Sequence, residues 1–284
     1  MRAKALVQSI TILSLALLVA LGSSAVPGAA QPPQPPERPS EWGVCPPGAP
    51  CPPEGGRPGE GRPAKPFSTP EDAEPPGAVM GVSPQATGGP DDFGYTWDDT
   101  VAFDWIDATT LGTNSGLYGG DVYTGPVDIG FTFPFYENNY NQVYFSTKGL
   151  VTLGQGGVWW DNVSIPQASL PNNIVAAFWD DLGMYQGSRP DAGVYTYTGG
   201  IAPERYFVIE WHRADVYSGE QPSGAEQADL TFEIILYETG DIVVQYLSLW
   251  GNLQSATVGI EDSVGTTGLQ YLYNAPGLAD NKTI

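Results

Sequence analysis

Between Val127 and Gly154 the chain reads VDIGFTFPFYENNYNQVYFSTKGLVTLG, and no other stretch limits the fold so tightly. Val127, Ile129, Phe131, Phe133 and Phe135 put an apolar side chain at every second position, the period of a strand with one buried face. A polar, Asn-rich corner at Glu137 to Asn141 follows. The spacing then predicts a strand at Val143 to Phe145, a turn through Ser146-Thr147-Lys148-Gly149, and a third strand from Leu150 to Leu153. This antiparallel meander points to an all-β fold and specifies no chemistry.

The same alternation recurs from Asp91 to the last residue, a length suited to one domain. Val101, Phe103 and Trp105 predict a first strand. Ile174 to Trp179 is a continuous apolar run, the mark of a strand covered on both faces, and Asp180-Asp181 stop it. Gly193 to Thr198 pairs through Gly199-Gly200 with Arg205 to Arg213, where Phe207, Ile209 and Trp211 face inward and Val208, Glu210 and His212 outward. Leu230 to Leu236 returns through Glu238-Thr239-Gly240-Asp241 as Ile242 to Tyr246. Strands at Ala256 to Glu261 and Leu269 to Tyr273 complete the pattern, and the chain stops within reach of a last edge strand. The expectation is a two-sheet antiparallel β-sandwich, jelly-roll-like, over residues 91–284.

What precedes the domain has a different composition. Arg2 and Lys4, the apolar run Ile10 to Leu21 and small residues near Ala25 and Ala30 read as a signal peptide over residues 1–30, too short to span a bilayer. Residues 31–90 are rich in Pro and Gly, without apolar periodicity, and predict a disordered linker. Cys45 and Cys51 would close only a small loop there; whether they form a disulfide is left open. The formal net charge is -21. Such a surface repels phosphate backbones, so nucleic acid is excluded as a partner, and no later segment suits a membrane span.

The phrases DDFGYTWDDTVAFDWIDAT, YTGPVDIGFTFPFYENNYNQVYFSTKGLVTLG, IVAAFWDDL, FEIILYETGDIVVQY and ATVGIED together resemble a β-sandwich accessory module of secreted bacterial proteins, found at times beside subtilisin-like proteases. The FPFY-to-STKG segment followed by AAFWDDL is distantly similar to the extracellular nidogen-type (NIDO) domain. The resemblance implies a non-catalytic module for adhesion or substrate binding.

Candidate chemistry is sparse. His212 is the single histidine and has no nucleophile elbow to serve, so no catalytic residue is assigned. Asp98 and Asp99 with Asp104 and Asp107, or alternatively Asp180 and Asp181, are the candidate ligands for calcium, the one candidate cofactor, because a hard cation takes several loop carboxylates. Trp159, Trp160 and Tyr185 are the candidate binding aromatics, from an irregular stretch at Gln155 to Asn173 and the loop after Asp181. The expected function is a non-catalytic extracellular binding or adhesion module, accessory to a secreted hydrolase, with an extracellular protein or polysaccharide as partner. It would be secreted or held at the cell surface. The alternatives are a secreted glycoside hydrolase using a carboxylate pair, and a structural spacer of a surface layer.

Overall fold

The computed structural model describes residues 86–187, 189–217 and 227–284. The signal peptide, most of the linker and both cysteines lie outside the described residues. Two short strands, β1 (Thr87–Gly88) and β2 (Trp97–Asp98), pair with each other, so β1 falls within the stretch expected to be linker. A single turn of helix, α1 (Ala108–Leu111), is capped by the Asp107 side chain accepting from the Thr110 N–H. After β3 (Thr113–Asn114) come β4 (Tyr123–Phe135), β5 (Asn138–Ser146), β6 (Leu150–Thr152) and β7 (Ile174–Trp179). These four form a meander. After β8 (Leu182–Gly183), a second meander follows as β9 (Gly193–Gly199), β10 (Tyr206–Val216), β11 (Asp229–Tyr237) and β12 (Ile242–Trp250). The hairpin of β13 (Thr257–Glu261) and β14 (Gly268–Tyr273) extends the first sheet beside β7, and β15 (Lys282–Thr283) extends the second beside β12. Every pairing is antiparallel.

The two sheets face each other across an apolar core. Ile129, Phe131, Phe133 and Phe135 of β4 and Val143 and Phe145 of β5 meet Phe207, Ile209 and Trp211 of β10 and Leu230, Phe232, Ile234 and Leu236 of β11. Each such side chain removed from water contributes roughly 1.5–3 kcal/mol before chain entropy is charged against it. Phe232 stacks on Trp211 in its own sheet, with centroids 5.2 Å apart, and on Phe178 of β7 at 5.8 Å. The polar tips of core aromatics tie the sheets together: Trp211 Nε1 donates to the Ser146 carbonyl at 2.8 Å and Tyr246 donates to the Ala177 carbonyl at 2.6 Å.

Both outer faces are also covered. Gln155 to Asn173 is irregular, as expected, and lays Trp159 and Ile165 over Leu150, Ile174, Ala176 and Trp179. This is why the 174–179 run is apolar on both faces. On the other sheet, Ala108 packs against Val208 and Ile235, so the outward residues Val208, Glu210, Glu233 and Ile235 are buried rather than solvated, while His212 is half-buried. Two further elements differ from the sequence reading. The Asn-rich corner is strand: the β4–β5 turn is only Tyr136 and Glu137, with Phe135 paired to Asn138 and Tyr136 at φ 47°. The Val101 to Ile106 stretch forms no strand and pairs with none among the described residues; side chains of the second sheet take the N–H groups of Asp104 and Ile106.

Candidate functional site

At one end of the sandwich, Asp91 to Val101 crosses between the β11–β12 turn and the β13–β14 hairpin, leaving a groove on each side. Asp91 shapes this segment: its Oδ1 accepts the N–H groups of Phe93, Gly94 and Tyr95, at 3.1, 2.8 and 2.8 Å, and its Oδ2 accepts the Tyr136 hydroxyl at 3.0 Å. Gly94, at φ 119°, completes the turn. Phe93 is thereby held outward, 47% exposed. Its ring stacks on Tyr95 at 5.5 Å and meets Tyr136 at 5.2 Å, while Tyr95 meets Tyr136 edge-on at 4.9 Å. With Pro134, Thr239 and Asp241 these rings line a groove of about 350 Å³. Burial raises the Tyr95 phenol above its ordinary range, and the carboxylates of Asp91, Asp241 and Glu137 add to the shift.

The second groove, also about 350 Å³, shares Tyr95, Gly240 and Asp241 and continues along Trp97, Ile242, Leu269, Tyr271 and Ile284. Trp97 packs edge-on against Tyr271 at 4.9 Å. Asp99 anchors this side, accepting from the Tyr271 hydroxyl at 2.8 Å and Lys282 Nζ at 2.7 Å. The result is a continuous aromatic surface with carboxylates at its lip.

A different polar group lies on the outer face of the second sheet. Tyr195, Glu210, Glu233, Gln245 and Thr283 form one row across β9, β10, β11, β12 and β15. The extended segment before α1 runs over the middle of that row. Asp104 N–H donates to Gln245 Oε1 at 2.7 Å, Ile106 N–H to Glu233 Oε1 at 3.2 Å and Ala108 N–H to Glu210 Oε2 at 2.8 Å. Three alternate N–H groups are thus met by three side chains in place of a neighbouring strand. Glu233 is 0% exposed, and burial pushes its carboxyl up to about 8, with the charge of Glu210 adding to the effect. His212 is bracketed by Glu210 at 3.0 Å on Nδ1 and Asp191 at 3.3 Å on Nε2. Burial works against its charged form, yet these two carboxylates prevail and raise its pKa.

The family model described as NIDO related matches residues 94–284. The chain belongs to that family. No curated protein and no solved structure matches it significantly. The match to the NIDO-related family takes in Tyr95, Trp97, Tyr136 and Asp241 of the grooves, together with the whole polar row.

Within this NIDO-related domain the residues singled out from the sequence occupy separate places. Trp159 is 8% exposed and packs in the layer over β7; its backbone carbonyl accepts Trp179 Nε1 at 2.8 Å. Trp160 is half-buried, and Tyr185 lies elsewhere, its ring over Gly183 and its hydroxyl beside Gly120. Asp98 accepts the Thr100 N–H, Asp99 is paired with Lys282, and Asp107 caps α1. Asp104 sits on the strap across the second sheet. Asp180 takes the Ser255 hydroxyl and the Asp181 N–H. Asp181 pairs at 2.7 Å with Lys148, whose fully buried ammonium also meets Asp121 at 2.8 Å and the Leu182 carbonyl at 2.8 Å. Among the described residues no group of three or more His, Cys, Asp or Glu is placed to hold a metal ion. No helix among them is long and apolar enough to cross a membrane. Sequence reasoning passed over Phe93, Tyr95 and Tyr136, although the alternation of Phe93, Tyr95 and Trp97 was a signal open to it.

Proposed function

We infer that the chain is a non-catalytic binding module acting outside the cell, and that its ligand surface is the pair of grooves flanking Asp91 to Val101. The observation that carries this reading is the aromatic cluster in which Phe93 lies open to solvent over the half-buried Tyr95 and the buried Tyr136, edged by Asp241. Rigid aromatic faces with a few hydrogen-bonding carboxylates suit a polysaccharide or an extended protein segment. Membership of a NIDO-related family supports an extracellular setting, and the apolar n-terminal run of residues 1–30 supports export. A hydrolase reading has weaker support: Glu210 and Glu233, the neighbouring carboxylates, are 1% and 0% exposed beneath the segment that crosses them. His212 has both ring nitrogens engaged by carboxylates.

Capture on immobilised polysaccharides and extracellular proteins, compared for the wild-type chain, Phe93→Ala and Asp241→Asn, tests the assignment. A ligand retained by the wild type should be held at least about tenfold more weakly by Phe93→Ala, the scale of losing one aromatic anchor. Undiminished capture by both variants would remove the grooves as the binding surface, and release of new reducing ends from a polysaccharide would make the chain an enzyme.

A further inference from the structure

The aromatic groove has an acidic rim, and among the described residues no lysine, arginine or histidine lines it. Asp91, Glu137 and Asp241 are the carboxylates acting on Tyr95 at its centre. An exposed aromatic face at a shallow groove suits a polyproline II peptide, whose preformed extended backbone loses little entropy on docking. A basic peptide of that kind would meet opposite charge at the rim.

Such a peptide occurs in this chain. Although the net charge is -21, the stretch Arg57-Pro-Gly-Glu-Gly-Arg-Pro-Ala-Lys-Pro-Phe67 carries Arg57, Arg62 and Lys65, each followed by a proline, against the single acid Glu60. The described chain begins beside the grooves: Ala86 N–H donates to Asp99 at 2.6 Å, and Thr87 and Gly88 pair with Asp98 and Trp97. Residues 68–85 lie between the basic stretch and that point. Fully extended they reach about 60 Å, and as a flexible coil about 25 Å, so either regime lets Arg57 to Phe67 reach Phe93. Tethering over that distance gives an effective concentration on the order of millimolar, enough to fill a site of modest affinity.

We propose that the groove formed by Phe93, Tyr95 and Tyr136 docks the basic, proline-punctuated stretch Arg57 to Phe67 of the same chain. This rests on the reading of the groove as a ligand surface, and it makes the chain's own segment a competitor that an external ligand displaces. The exposed face of Phe93 offers the prolines a surface, and Asp241 and Glu137 offer Arg62 and Lys65 opposite charge.

Replacing Phe93 with p-benzoylphenylalanine in the full chain and irradiating it tests the proposal. Phe93 is exposed, so the probe leaves the core untouched. The expected result is a cross-link within one molecule to a peptide inside residues 57–67. Its yield should fall at least about threefold in 1 M salt, where charges are screened beyond about 3 Å, and in the Arg57→Glu, Arg62→Glu, Lys65→Glu triple variant. Cross-links to any other segment, cross-links between isotopically distinct copies, or a yield indifferent to charge reversal would each overturn it. Ligand capture separates the two readings. If the cross-link fails while capture still depends on Phe93, only the occupant is wrong; if both fail, the groove itself is wrong.

Discussion

Glu210 on β10 and Glu233 on β11 stand directly opposite each other on the outer face of their sheet, and the N–H groups of Ala108 and Ile106 come down on them one apiece. Like charges in that position repel, so the pair is compatible with burial only when its charge is reduced. Glu233 supplies the reduction, held protonated by burial with its carboxyl pushed up to about 8. Its Oε2 has no hydrogen-bond partner among the described residues.

A pH dependence follows. The Glu233 carboxyl has a folded pKa raised above its ordinary 4.5, so its contribution to stability is complete below that value and is lost as pH rises toward about 8. The full span corresponds to about 5 kcal/mol. His212, also raised, acts in the same direction: its contribution is present below its ordinary value of 6.5 and disappears as pH rises through its folded pKa. The melting temperature should therefore fall steadily between about pH 5 and pH 8. In Glu233→Gln that fall should be much shallower, with the variant close to wild type at the acid end and several degrees more stable at the alkaline end. Parallel melting curves for the two proteins across this range would show that Glu233 is not the titrating group.

Gly149, in the turn between β5 and β6, offers a steric test of the fold. It sits at φ 68°, and a Cβ there would lie 2.2 Å from the Phe178 carbonyl oxygen, a backbone atom that cannot swing aside. The Gly149 carbonyl also accepts the N–H groups of both Ala177 and Phe178, at 3.2 and 3.5 Å, where β7 bulges. Gly149→Ala should cost at least about 3 kcal/mol, lowering the midpoint of denaturant unfolding. Gly187→Ala is the control, since a Cβ there meets nothing within 4 Å, and it should be neutral within about 0.5 kcal/mol. Equal effects would refute the geometry of the turn.

The contrast between Phe131 and Phe103 shows how much of this was legible in the sequence. Both lie in stretches of period two, and both were read as strand. On β4 that period reports a sheet position, because the partner strand is the next one along the chain. At Phe103 the acceptors are the side chains of Gln245, Glu233 and Glu210, more than 100 residues away in sequence, and no local pattern announces them. The candidate site was obscured for the same reason. Trp159 attracted attention as half of a tryptophan pair, yet a layer over β7 needed its ring. Phe93, between Asp92 and Gly94, drew no reading from the sequence, and the Asp91 turn is what holds it toward solvent.

Lys148 decides what the acidic pair after β7 can do. Its ammonium is 0% exposed and meets oxygens of Asp121, Asp181 and the Leu182 carbonyl at 2.7–2.8 Å. These are the contacts of an ammonium with its three donors, and they give both carboxylates their counter-charge. Lys148→Met leaves Asp121 and Asp181 without this counterion in a desolvated place, which costs about 3–5 kcal/mol. For a domain of this size the melting temperature should drop on the order of 10 °C. The same reasoning bears on calcium. A site with a dissociation constant of about 0.1 mM, exposed to about 5 mM calcium, would stabilise the fold by roughly 2 kcal/mol, a rise of about 5 °C. The wild-type chain should instead melt within about 1 °C of the same temperature in calcium and in chelator, because Asp181 is held by Lys148 and Asp99 by Lys282. A calcium-dependent rise of the larger size would mean that oxygen ligands come together somewhere other than these two lysine-filled positions.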